Sequence, residues 1–238
     1  MQNLSSLLES TTPQYSLEIP STGENKNFRP FLVKEEKVLL LAQESNNENE
    51  IINSIKNTVK SCVADIDNID ELTPSDLEYI FIQLRSKSVG EMVSPTIICP
   101  ETGESVEVNL SLNDLTIKRD KNHTKNIKIK DDLIITMKYP TIRMIQEKNL
   151  SIDQNASDFY DLIVECIEKI QTTEELLDAD FISFEEKNEF VENMTNSQFK
   201  KIMQFFVTSP KIEYTIHYNT SDGVERKMVL NSIMDFFG

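Results

Sequence analysis

The sequence predicts an α+β protein in which helical blocks are each followed by a β-hairpin, with a short C-terminal helix. Three observations predict it. Leu77, Ile80, Phe81 and Leu84 stand at i, i+3, i+4 and i+7, the spacing of one helix face. Val106, Val108 and Leu110 alternate with polar residues, as do Ile212, Tyr214, Ile216 and Tyr218, the period of a half-buried strand. Helical stripes and alternating runs come in separate blocks, the α+β signature.

Along the chain, residues 1–12 are polar and read as a flexible tail. Tyr15, Leu17 and Ile19 alternate as a strand, Pro20 to Gly23 turn, and Phe28 to Leu32 return as its partner. Val33 to Ser45 is expected as a helix with a buried VLLLA centre. Asn47 and Glu50 have capping-box spacing ahead of a helix carrying Ile51, Ile52, Ile55, Val59, Cys62 and Val63 on one face. Thr73-Pro74 opens a third helix, with proline in its first turn. Arg85, Lys87 and Gly90 end it, cations near the carbonyl end and glycine where left-handed backbone is cheapest.

Met92 to Cys99 and Val106 to Leu110 form the first hairpin around Pro100-Glu101-Thr102-Gly103. Ile127, Ile129 and Leu133 to Tyr139 add strands, stopped by Pro140. Helices follow near 141–148, 157–170, 183–193 and 196–207, and Ser183 with Glu186 is a capping box. Strands from Ile212 and to Leu230 turn at Ser221-Asp222-Gly223. Ile233, Met234, Phe236 and Phe237 lie in the terminal helix. The division expected is a tail at 1–12, an N-terminal lobe at 13–140 and a C-terminal lobe at 141–238, which also fit one continuous domain. The two hairpins, TIICPETGESVEVNL from Thr96 and TIHYNTSDGVERKMVL from Thr215, are a candidate internal duplication.

Composition narrows function. The chain has 238 residues, ample for a core, and a formal net charge of −16. That charge repels polyanions, so nucleic acid is not an expected partner. Only 5 glycines are present, and none lies in a G-x-G-x-x-G, G-x-x-x-x-G-K or G-x-S-x-G pattern. The longest aliphatic run, Val38 to Ala42, is too short to span a bilayer, so no stable membrane insertion is expected. Three widely spaced cysteines, Cys62, Cys99 and Cys166, suggest a reducing compartment rather than a disulfide framework.

Few residues invite chemistry. Cys99-Pro100-Glu101-Thr102-Gly103 resembles a zinc knuckle, but Thr102 occupies the second ligand position and the matching turn offers Tyr218 and Ser221. The degenerate turn at Cys99 and Thr102 is therefore expected to hold no metal, and no cofactor is expected elsewhere. His217 shares a strand face with Glu213 and Thr215, and His123 is expected on an exposed loop. Adjacent acids such as Glu35-Glu36 and Glu185-Glu186 sit where helices start, so no catalytic residues are assigned, although a carboxylate-based enzyme is the competing class. Charge is −7 before residue 101, zero over 101–140 and −9 after it. Lys121, Lys125 and Lys128 lie in that central basic island and are candidate partner contacts, as are Met234, Phe236 and Phe237 at the C-terminus.

Three strings carry a family resemblance. IPSTGENKNFRPFLVKEEKVLLLAQES (19–45), LEYIFIQLRSKSVGE (77–91) and VLNSIMDFFG (229–238) resemble the baseplate hub subunit and hub assembly proteins of T-even-type contractile-tailed bacteriophages. The resemblance runs from about residue 15 to the end, and a composition of 26 Ile and 20 Asn against 4 Ala suits an AT-rich phage genome. It implies a non-enzymatic late protein made in the host cytoplasm, a baseplate hub subunit whose partners are other hub or tail proteins. A transient hub assembly factor, absent from the finished virion, is the alternative it leaves open. Some members of that family carry Cys-x-x-Cys turns where this chain has Cys99-x-x-Thr102 and Tyr218-x-x-Ser221.

Overall fold

The computed structural model describes residues 12–45, 47–147 and 156–230, and a hairpin is the first element among them. The backbone divides into two compact units, one of residues 1–69, 75–118 and 211–238, the other of 70–74 and 119–210. The boundary expected at residue 140 falls inside the second unit. Among the described residues there are seven α-helices and several small antiparallel sheets, a mixed α+β fold.

In the first unit, β1 (Tyr15–Glu18) pairs with β2 (Asn25–Phe28), Tyr15 opposite Phe28. The second strand ends earlier than expected, because Pro30 has no N–H and Arg29 gives its own to Cys62 O at 3.0 Å. Helix α1 (Val33–Glu44) starts on a side-chain cap, Glu35 Oε2 accepting from Leu32 N at 2.8 Å and Glu35 Oε1 from Arg29 at 3.0 Å.

The VLLLA centre of α1 is not buried. Val38, Leu40 and Leu41 are 48%, 54% and 56% exposed, while Glu35 and Ala42 face the core. Five consecutive helical residues sweep the full circumference at about 100° each, so a run cannot lie on one stripe. Helix α2 (Glu48–Cys62) is capped by Asn47, which accepts from Asn49 N and Glu50 N, and it buries Ile55, Val59 and Cys62.

Helix α3 (Pro74–Ser88) buries the expected Leu77, Ile80, Phe81 and Leu84, together with Ile82. Gly90 follows at φ +141°, a backbone that only glycine takes without strain. The apolar run 92–99 is two strands rather than one. β3 (Met92–Val93) and β4 (Thr96–Ile98) flank Pro95, β4 pairs with β5 (Ser105–Glu107), and β3 pairs with β6 (Leu110–Ser111). β7 (Thr116–Lys118) ends this stretch.

The second unit holds a sheet ordered β11-β10-β9-β8, built from β8 (Asn126–Lys130), β9 (Leu133–Met137), β10 (Ile167–Thr172) and β11 (Leu176–Asp178). Its helices are α4 (Ile142–Glu147), α5 (Ala156–Glu165), α6 (Phe184–Glu192) and α7 (Asn196–Thr208). Ile135 and Met137 of the sheet, Leu162 and Ile163 of α5, and Ile202 and Phe205 of α7 share one core. The expected helix 157–170 stops at Glu165, and residues 167–172 are strand. A bulge between Ile167 and Lys169 turns both Ile167 and Ile170 into the core, which reproduces a helical spacing within a strand.

The chain then returns to the first unit. β12 (Lys211–Asn219) pairs with β13 (Glu225–Leu230), and its first residues pair with β7, Ile212 opposite Ile117. Ile82, Ile97, Leu110, Leu112, Ile216 and Leu230 close the core beneath. The expected C-terminal helix, with Met234, Phe236 and Phe237, lies outside the described residues. No helix among the described residues is long and apolar enough to cross a membrane.

Candidate functional site

The hairpin turns that the sequence singles out meet each other. Gly103 at φ +71° and Gly223 at φ +76° tighten the two turns, donating to Cys99 O at 2.8 Å and Thr220 O at 2.9 Å. Ser221 donates its backbone N–H and its hydroxyl to Glu104 Oε2, each at 2.9 Å. Arg226 donates from Nε to Glu101 at 3.0 Å and from its terminal nitrogens to Asp222 at 2.7 and 2.9 Å. It also bonds Thr220, whose hydroxyl is 2.6 Å from Asp222. The Ser221–Glu104 and Arg226–Glu101 pairs join sequence positions more than 100 residues apart, which reading single hairpins does not reveal.

Charge follows the bonds. The Arg226 guanidinium, then the Thr220 hydroxyl, hold the Asp222 carboxyl far below the usual carboxylate range. Cys99 is 1% exposed, and hydrogen bonds from Thr102 and then Tyr218 lower its thiol from 9.0 to about 7. The same contact raises the Tyr218 phenol. Cys62 and Cys166 behave oppositely, burial pushing them to about 11 and about 12.

Cys99, Thr102, Tyr218 and Ser221 do not fit a zinc ion. One thiol among three neutral hydroxyls lacks the ligands of a structural site, and Ser221 is turned onto Glu104. Among the described residues, no group of three or more His, Cys, Asp or Glu side chains is placed to hold a metal.

The basic island is partly matched within the chain. Lys125 Nζ sits 4.7 Å from the centre of the Tyr139 ring, and Lys128 pairs with Asp131 at 2.9 Å. Lys121 is exposed on the turn before His123.

His123 is not the exposed loop residue expected from its polar neighbours. It is half-buried against Phe205 and Tyr139, with ring centres 5.2 and 5.7 Å away. Thr208 gives its hydroxyl hydrogen to Gln204 O at 2.7 Å, so it accepts from His123 Nδ1–H at 2.9 Å. Nε2 then accepts from the Tyr139 hydroxyl at 2.6 Å, which selects the neutral ring. Burial, then Lys125, lowers the imidazole below its usual 6.5. His217 is exposed on β12, 3.5 Å from Glu225.

A family model described as T4 bacteriophage base plate protein matches residues 12–238, nearly the whole chain and both units. The chain belongs to that family. It is a T4-type phage baseplate protein. No curated protein and no solved structure matches it. In this baseplate protein the joined hairpin tips hold the first unit's two distant segments together, and the His123 cluster ties the 119–125 segment to α7.

Proposed function

We propose that this baseplate protein is a hub subunit that acts through protein–protein contacts in tail assembly and catalyses no reaction. The family match over residues 12–238 carries the reading, since a baseplate protein implies tail proteins as partners. The hub assignment rests on the three strings at 19–45, 77–91 and 229–238 that resemble hub proteins. The polar groups of the hairpin tips support a structural role: each is engaged with another side chain of the tips, as in a fastening rather than a reaction centre. The protein resides in the host cytoplasm during assembly and then in the virion baseplate.

Quantitative mass spectrometry of purified virions tests this. A fixed copy number that co-purifies with the hub is expected. Absence from virions, together with failed hub formation when the gene is disabled, would make it a transient assembly factor instead.

A further inference from the structure

The two edges of the four-stranded sheet in the second unit are treated differently. On the β8 edge Lys128 and Lys130 are exposed, and Lys201 of α7 donates to Lys128 O at 3.1 Å and to Ile129 O at 2.7 Å. Lysines along a strand and carbonyls already engaged keep another strand from adding there. The β11 edge is apolar instead. Among the described residues β11 pairs with β10 alone, and all three of its side chains are exposed. Leu176 and Leu177 are 64% and 40% exposed, and Phe181, just beyond the strand, is 91% exposed.

Backbone geometry and charge say what this edge accepts. Thr172 N donates to Glu175 O at 2.8 Å, and Ile170 stands opposite Leu177. Bonded pairs alternate along an antiparallel ladder, so Leu177 turns its N–H and C=O to β10 while Leu176 turns them outward. Leu177 shares the face of the core residue Ile170, and Leu176 lies on the opposite face with Gln171. Of the eight residues from Glu174 to Phe181, four are acidic, all four are exposed, and none is basic. Lys169 stands opposite Asp178 and Lys138 lies 3.3 Å from Asp180, which still leaves the patch net negative. A second copy, itself at −16, is repelled from it, and a basic segment is drawn in.

We propose that β11 is a docking edge for an extended, lysine- or arginine-bearing segment of another tail protein, which adds to the sheet as a fifth strand. This deepens, and rests on, the reading of the chain as a baseplate protein that acts through contacts. The segment's backbone bonds the outward N–H and C=O of Leu176. An apolar residue beside Leu177 extends the rim of the core, and basic residues meet Glu174, Glu175 and Asp178. A strand of 3 residues offers few backbone bonds, so Leu176 and Phe181 supply the apolar anchors that hold the segment in place.

Photo-crosslinking in infected cells tests the edge, with Phe181→p-benzoylphenylalanine in the full-length chain and the cross-linked peptide sequenced by mass spectrometry. The expected product joins this chain to a different baseplate protein, at a segment richer in Lys and Arg than in Asp and Glu. Glu174→Lys with Glu175→Lys should lower the yield about tenfold while the melt of the purified chain is unchanged. In the complex purified from those cells, hydrogen exchange at the Leu176 amide should slow about tenfold or more relative to the free chain, as an added strand requires. A cross-link to a second copy or to an acidic segment overturns the proposal, as does no cross-link at all. So does an unchanged yield for the lysine variant, or a Leu176 amide that exchanges as fast in the complex as in the free chain. Absence of the protein from purified virions would refute the hub-subunit reading and leave this result standing, because the cross-link forms during assembly.

Discussion

Ser21 donates both its backbone N–H, at 3.0 Å, and its hydroxyl, at 2.6 Å, to the two carboxylate oxygens of Asp76. Asp76 is 1% exposed in the first turn of α3, so this bond pair fastens the β1–β2 turn to the most buried helix of the first unit. Replacing Asp76 by Ala leaves two donors without this acceptor and should cost about 2–3 kcal/mol. Asp76→Asn keeps one acceptor oxygen and should cost about half as much. The urea midpoint reads both, and an unchanged midpoint for the alanine variant would remove the fastening role.

Glu35 gives a pH dependence. Burial pushes its carboxyl up, but the Leu32 N–H and Arg29 outweigh it, and the folded value lies below 4.5. Its stabilisation is therefore complete above about 4.5 and is lost as pH falls through the folded value. Glu35→Gln should cost about 1–2 kcal/mol at neutral pH and flatten the acid limb of the stability profile. An acid limb identical to the wild type would show that Glu35 is not its source.

His123 acts in a different window. Its folded value is below 6.5, so the unfolded chain binds the proton first, and stability falls as pH drops below about 6.5. A proton on Nε2 displaces the one Tyr139 donates. Proton NMR of the imidazole should show a midpoint below the free value, and His123→Phe should lose the stability change between neutral pH and about 5.5. A midpoint at or above 6.5 contradicts the cluster.

Tyr218→Phe tests the joined tips. The Cys99 thiol should move upward from about 7, because one of its two side-chain donors is gone. Ultraviolet absorbance of the thiolate, in a chain with Cys62 and Cys166 replaced by Ser, follows the titration. A midpoint that stays near 7 would mean Thr102 alone sets it.

At Gly90, φ of +141° admits no side chain without strain, although nothing stands within 4 Å of where a Cβ would go. Gly90→Val should therefore cost about 1 kcal/mol or more through backbone conformation alone. An unchanged melting temperature would show that the backbone relaxes freely there.

Local signals were legible and long-range ones were not. The stripe of α3, the Asn47 and Ser183 caps and the glycine turns depend on neighbours within a few residues, and each stands as the sequence implies. The burial of VLLLA failed because hydrophobicity does not say whether another layer exists to cover a helix. Residues 167–172 misled because a bulge gives a strand the spacing of a helix. The meeting of Glu104 with Ser221 and of His123 with Tyr139 depends on topology, and no pattern within either segment encodes it. Cys99 and Thr102 were visible as a turn, but the partner that shifts the thiol, Tyr218, lies on another hairpin.

Lys118 and Lys211 are partners across the β7–β12 ladder, and residues 119–210 lie between them in sequence. On the ribosome, the second unit has nearly all of its residues before the first has its last two strands. Synthesis therefore imposes an order: the inserted unit can close early, while the half-built first unit waits with Ile82, Ile97 and Leu110 lacking the cover that Ile216 and Leu230 later supply. Because both cut ends lie side by side in one ladder, a short turn from Lys118 to Lys211 should join them without strain.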